Sequence, residues 1–102
     1  MSLSKKYLKS KPVCKVKFEL PKEATENASR VLLLGDFNNW DANTIPMKRL
    51  KKGGFTSTVN LPSGKEYQFK YLIDEGTWEN DWKADKYVPN SYGDSDNSVV
   101  VV

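Results

Sequence analysis

The sequence predicts an all-β protein, an antiparallel β-sandwich of about seven short strands. Three observations point there. Hydrophobicity alternates with period two in Val13 to Leu20, Phe55 to Leu61 and Glu66 to Asp74. Turn-forming sequences separate these runs: Gly53-Gly54, Leu61-Pro62-Ser63-Gly64 and Asp74-Glu75-Gly76-Thr77. No segment carries a convincing helical period, and Lys22 to Arg30 has room for one turn of helix at most.

Each element has its own justification. In Val13 to Leu20, Cys14, Val16, Phe18 and Leu20 share one face while Lys15, Lys17 and Glu19 take the other, the pattern of a half-buried strand. Arg30 to Leu34 is apolar on both faces, which predicts a central strand. Ile45 to Leu50 is a weaker edge candidate, because Pro46 has no N–H to give to a ladder. Gly53-Gly54 supplies the positive φ that a tight reversal needs. Phe55, Val59 and Leu61 then oppose Thr56, Thr58 and Asn60. In Glu66 to Asp74, Tyr67, Phe69, Tyr71 and Ile73 point one way and Gln68, Lys70 and Asp74 the other, with Leu72 an exception. Val99 to Val102 is β-branched throughout and closes the fold. Short strands with frequent turns describe a sandwich of immunoglobulin type.

Length and composition bound the function. A chain of 102 residues is one domain with a modest core, read as a basic N-terminal arm over 1–12 and a folded module over 13–102. It is too short for a (β/α)₈ barrel, which takes roughly 250 residues, so it does not hold a whole glycosidase. No apolar run approaches the roughly 18 residues of a membrane span, and no membrane partner is expected. Met1 to Pro12 is polar and lysine-rich rather than signal-like. Cys14 is the only cysteine, so no intramolecular disulfide forms, and the expected location is the cytoplasm. Six lysines and no acid occur up to Lys17, whereas the remainder carries ten basic and thirteen acidic residues. The body is therefore mildly acidic and the arm reads as a solvated tail. A nucleic-acid binder would need a basic face on the fold itself, so no nucleic-acid partner is expected.

Catalysis finds little support. There is no histidine, which removes the commonest general base and metal ligand. Cys14 is predicted to face inward, leaving no zinc site and a poor nucleophile. The carboxylates between Asp74 and Asp85 alternate with lysines in a turn-rich segment and read as a solvated loop. Gly53-Gly54 lacks the strand-to-helix setting of a phosphate loop. The chain reads as a binding protein rather than an enzyme, with no cofactor and no metal.

What remains is aromatic. Tryptophan normally seeks the core, yet Trp40 ends the polar run Gly35-Asp36-Phe37-Asn38-Asn39-Trp40, and Trp78 and Trp82 lie in an equally polar segment. Lys70 is on the outward face of the strand that precedes Trp78, and Asn97 comes just before the terminal strand. A sugar has apolar CH faces and a rim of hydroxyls, so two aromatic planes with a few placed polar groups suit it.

The runs Gly35 to Trp40, Tyr67-Gln68-Phe69-Lys70-Tyr71, Gly76-Thr77-Trp78 and Asn97-Ser98-Val99-Val100 resemble, in this order and spacing, the glycogen-binding modules of carbohydrate-binding family 48. That family is related to the early-set N-terminal domains of isoamylases and branching enzymes and to the β-subunits of AMP-activated protein kinase. The resemblance extends from about Val13 to Val102. It implies an early-set immunoglobulin-like sandwich that binds α-1,4-linked glucans, as polysaccharide or maltooligosaccharide. By position, Trp40 and Trp78 would stack on glucose rings, and Lys70 and Asn97 would hydrogen-bond the hydroxyls. Gly35 and Phe37 would shape the turn that presents Trp40. Asn39 and Trp82 are further candidates. Trp82 either extends the platform or packs under Tyr87, and packing is preferred. Kinase-associated members clamp the glucan with a leucine-bearing loop, whereas Asn90 to Asp96 is polar here, so no clamp is expected. An adaptor that recruits a glycogen-metabolising or amylolytic enzyme is the alternative. The presence of all four site residues argues against it.

Overall fold

The structure is a computed structural model, and it describes residues 3–41, 46–74, 76–89 and 96–102. Two antiparallel sheets pack face to face. The first contains β1 (Leu3–Tyr7), β2 (Val13–Leu20), β4 (Lys48–Arg49) and β5 (Phe55–Pro62), in the order β1-β2-β5-β4. The second contains β3 (Val31–Gly35), β6 (Glu66–Ile73), β8 (Lys86–Pro89) and β9 (Asp96–Val101), in the order β3-β6-β9-β8. Strand β7 (Thr77–Glu79) joins the second sheet by pairing with the end of β6. The predicted all-β sandwich is thus observed. The only helical turns among the described residues are 3-10 turns at Lys22–Ala24 and Asp36–Asn38.

The period-two residues meet between the sheets. Cys14, Val16, Phe18 and Leu20 of β2, with Phe55 and Leu61 of β5, are buried against Val31, Leu33, Phe69, Tyr71 and Val100. Phe18 sets its ring edge-on to Phe69 at 5.0 Å, and Phe69 does the same to Tyr71 at 5.8 Å, the geometry that aromatic quadrupoles favour. Cys14 faces inward, as its position in the alternation required.

Strand β3 departs from expectation. Its five residues are all buried, but in the sheet order it lies at the end of the row, not in the centre. Burial on both faces has another cause. Val31 and Leu33 enter the core, while Leu32 and Leu34 turn outward and join Leu72 and Trp40 in a second apolar cluster. Among the described residues the outer edge of β3 is met by a bridge from Pro46 to Leu32, and the Met47 N–H donates to the Val31 carbonyl at 2.8 Å. The chain then crosses to the other sheet, where β4 pairs with β5. Pro46 therefore stands at an edge, where its missing donor costs nothing.

The N-terminal residues also differ from a solvated tail. Leu3–Tyr7 pair with β2 along their whole length, and Leu3 is buried in the core. Lys5 reaches Asp85 at 2.6 Å and ties this strand to the segment before β8. The register sets Lys6 directly opposite Lys15 and Ser4 opposite Lys17. The outer face of the first sheet is consequently cationic.

A polar knot closes the side of the sandwich. Asp81 is buried, and its carboxylate accepts hydrogen bonds from the Tyr71 hydroxyl at 2.7 Å and from the Lys83 N–H at 2.8 Å. The Asp81 N–H donates to Ser98 Oγ at 2.9 Å, and the Tyr87 hydroxyl donates to the Asp81 carbonyl. Burial, and then the adjacent Asp81, push the Tyr71 phenol well above its usual 10.0.

Two outcomes follow for stability. Directly opposed like charges destabilise a ladder, so Lys6→Glu should add about 0.5 kcal/mol in urea denaturation at low salt. That gain should vanish near 1 M salt, where screening acts within a few ångström. The second outcome concerns alkali. Below pH 10 the Tyr71 phenol is protonated in both states. Above it the unfolded chain releases that proton while the folded protein keeps it, so stability falls as pH rises. Tyr71→Phe should flatten this alkaline loss. At neutral pH it should cost about 2 kcal/mol, because the Asp81 carboxylate loses a buried donor.

Candidate functional site

The turn after β3 is built residue by residue. Gly35 lies where a Cβ would come within 2.6 Å of the Gln68 carbonyl oxygen and 2.8 Å of the Phe37 ring. Phe37 can therefore fold back over this position to pack on Phe18 and Tyr67, with centroid distances of 5.6 and 6.2 Å. Asn38 closes the turn with its amide: Oδ1 accepts from the Gly35 N–H at 2.9 Å and Nδ2 donates to the Leu33 carbonyl at 3.0 Å. Asn39 and Trp40 both take left-handed backbone conformations, each with φ of 57°. Asparagine visits that region readily, but for tryptophan it costs roughly 1–2 kcal/mol. The Trp40 N–H donates to the Gly35 carbonyl at 3.0 Å and offsets part of this strain. The left-handed step reverses the chain and lays Trp40 back on its own strand, against Leu32, Leu34 and Leu72.

The four principal sequence candidates meet on the outer face of the second sheet. Leu34 pairs with Lys70, and Leu72 pairs with Trp78. Lys70 and Leu72 are two residues apart on β6, so all four share a face. Asn97 stands one position before Ser98, the partner of Phe69, and its Nδ2 donates to Gln68 Oε1 at 3.0 Å. Gln68, two residues before Lys70, is on the same face. Trp40 is packed on the apolar floor of Leu32, Leu34 and Leu72, and Trp78 is 49% exposed beside it.

Lys70 is not an ordinary surface lysine. It lies on the outward face as the alternation requires, yet it is only 5% exposed. Asn97 is buried as well. The polar groups are thus recessed and Trp78 projects. Neither of two surface clefts, one beside Arg49 and Phe55 and one beside Leu3 and Asp85, includes any of these residues. The arrangement is a shallow platform.

The two further candidates are Asn39 and Trp82. Asn39 is exposed in the turn. Trp82 is 51% exposed next to the anchored Asp81. The Tyr87 hydroxyl donates to the Asp81 carbonyl. Of the segment Asn90 to Asp96, in which a clamp was not expected, all but Asp96 lies outside the described residues.

The alternation-based reading missed the floor. Leu32, Leu34 and Leu72 form it, and the signals were present: an apolar run with no polar face, and one leucine out of phase. Asp36 and Gln68 were quoted within motifs but not assigned a part.

A small antiparallel sandwich with an aromatic platform on one outer face is the class of molecule these observations define. The sequence profile of carbohydrate-binding module 48 (isoamylase N-terminal domain) matches residues 22–88. The chain belongs to this family. The matched span holds Trp40, Lys70 and Trp78, whereas Asn97 lies beyond it. The chain is also similar to a 1,4-alpha-glucan branching enzyme GlgB of Halothermothrix orenii, with 36% identity over 61 residues, 60% of this chain and 10% of that protein. A 1,4-alpha-glucan-branching enzyme of Saccharomyces cerevisiae is 47% identical over 45 residues, covering 42% of this chain and 6% of the enzyme. For the GlgB of Pseudomonas putida the figures are 42% over 53 residues, 49% and 7%. The chain matches a tenth or less of the length of these relatives.

The turn yields its own expectation. Gly35→Ala forces the Gln68 carbonyl or the Phe37 ring to move, at a cost of about 2 kcal/mol. The thermal midpoint should fall by several degrees, and the Trp40 signal in near-ultraviolet circular dichroism should change with it.

Proposed function

We propose that this chain is a non-catalytic module that binds α-1,4-linked glucans on the outer face of its second sheet. Trp40 and Trp78 would stack on glucose rings, while Lys70 and Asn97 would take up hydroxyls. The observation that carries this reading is the gathering of these four residues on one outer sheet face, where Trp40 packs on an apolar floor. The family supports a carbohydrate ligand, and the names of the similar enzymes support an α-glucan. The same names support a role beside enzymes of glucan metabolism.

A shallow site sets the scale of affinity. Aromatic contacts contribute on the order of 1 kcal/mol each beyond area burial, and association costs several kcal/mol. Binding per site should be roughly micromolar to millimolar, with avidity where a branched particle engages many modules.

Native affinity electrophoresis with and without glycogen in the gel tests this. The wild type should be retarded, and Trp40→Ala and Trp78→Ala should each abolish retardation while circular dichroism stays native. A folded wild type that migrates alike in both gels removes glycogen as the ligand and leaves the adaptor reading in its place.

A further inference from the structure

We infer that Asp36 is the positioning residue of this platform, acting through both of its carboxylate oxygens. Oδ1 accepts the indole N–H of Trp40 at 3.0 Å, and Oδ2 accepts the backbone N–H of Gln68 at 2.8 Å. The second bond stands where the β3–β6 ladder ends. Gly35 opposite Phe69 is the last ladder pair, and the backbone then turns away into the 3-10 turn. The side chain of Asp36 supplies the acceptor that the backbone no longer offers to Gln68. Its other oxygen is thereby held at a fixed place, and the indole is tied to it.

The consequence is rotational. Packing on Leu32, Leu34 and Leu72 limits where the Trp40 ring can lie, but apolar contact is non-directional. A charge-assisted hydrogen bond to the ring edge is directional, and it selects which face of the indole turns outward. The bridge continues across the sheet, because Gln68 Oε1 receives the Asn97 amide. One carboxylate thus links the stacking residue to the backbone of the strand that carries Lys70 and Gln68, and the Gln68 side chain in turn receives Asn97. A ligand meets these groups already oriented, so less side-chain entropy is lost on binding. Asparagine is the same size but offers one acceptor oxygen and sets an NH₂ against the second donor. It cannot hold both bonds.

This inference rests on the glucan reading, and the test separates the two. The indole Nε1–H of Trp40 is first followed by NMR in wild type and Asp36→Asn without ligand. In the wild type it should exchange slowly with water and lie shifted from the free-indole position. In Asp36→Asn both features should be lost. Maltoheptaose affinity is then titrated for wild type, Asp36→Asn, Trp40→Phe and the double variant. Asp36→Asn should bind about tenfold more weakly. In the Trp40→Phe background, where no indole N–H exists, the same substitution should have little further effect. An equal loss in both backgrounds would show a general structural role and overturn the inference, as would an Asp36→Asn protein that binds like wild type. A wild type that fails to bind maltoheptaose while its indole stays protected removes the glucan reading itself, leaving the hydrogen bond as a feature of the turn alone.

Discussion

The backbone of β6 holds three strands at once. Its first four residues pair with β9, its last three pair with β7, and Gly35 to Val31 run along its other side. Through period two the same eight residues supply both surfaces. Tyr67, Phe69 and Tyr71 enter the core, while Gln68, Lys70 and Leu72 lie beneath the platform. A slip of one residue in this register would send the aromatics outward and Lys70 into the core. Core and candidate site are therefore fixed by one constraint, and neither can be repositioned without the other.

The turn after β3 shows how a strand becomes a presenting loop. Each residue of Gly35 to Trp40 satisfies a separate physical demand: no Cβ, a bridging carboxylate, a core aromatic, a capping amide, a left-handed asparagine and a platform ring. The left-handed backbone at Trp40 is strained, and strain of this kind persists only where surrounding contacts over-determine it. Here a backbone hydrogen bond, an indole hydrogen bond and an apolar floor all act on one residue.

Much of this was legible in the sequence. The alternation in β2, β5 and β6 identified their inner faces, and the polar run ending in Trp40 marked the turn. Edge and centre were confused in β3, because burial on both faces was attributed to sheet position. Its outer leucines are covered by Trp40, a contact that reverses the chain and leaves no periodic trace. The N-terminal lysines looked solvated, yet their strand is held by pairing with β2, by buried Leu3 and by the Lys5–Asp85 ion pair. Lys70 could be placed on its face by parity, but not at its depth, since burial of an outward residue depends on what folds over it. Asp36 was visible only as part of a motif. Its bridging role needs the end of a ladder and the edge of an indole in one place, and a linear pattern carries neither.

The depth of Lys70 and Asn97 bears on how such a platform would work. Burying an ammonium and an amide costs free energy unless they keep polar partners. The Asn97 amide donates to the Gln68 side chain, and the Gln68 backbone N–H donates to Asp36. The cost of ordering these groups falls on folding, where the burial of Phe18, Phe69 and Tyr71 and their neighbours outweighs it. Trp78 is different: it projects, half exposed, from a three-residue strand. One half of the platform is thus hydrogen-bonded and recessed, and the other projects. With the proposed glucan as ligand, the recessed half would set which hydroxyl pattern fits, and the exposed indole would follow the curvature of the chain laid across it. Under the proposed glucan reading, specificity would belong to the side built from β3, β6 and β9, and tolerance to the β7 side.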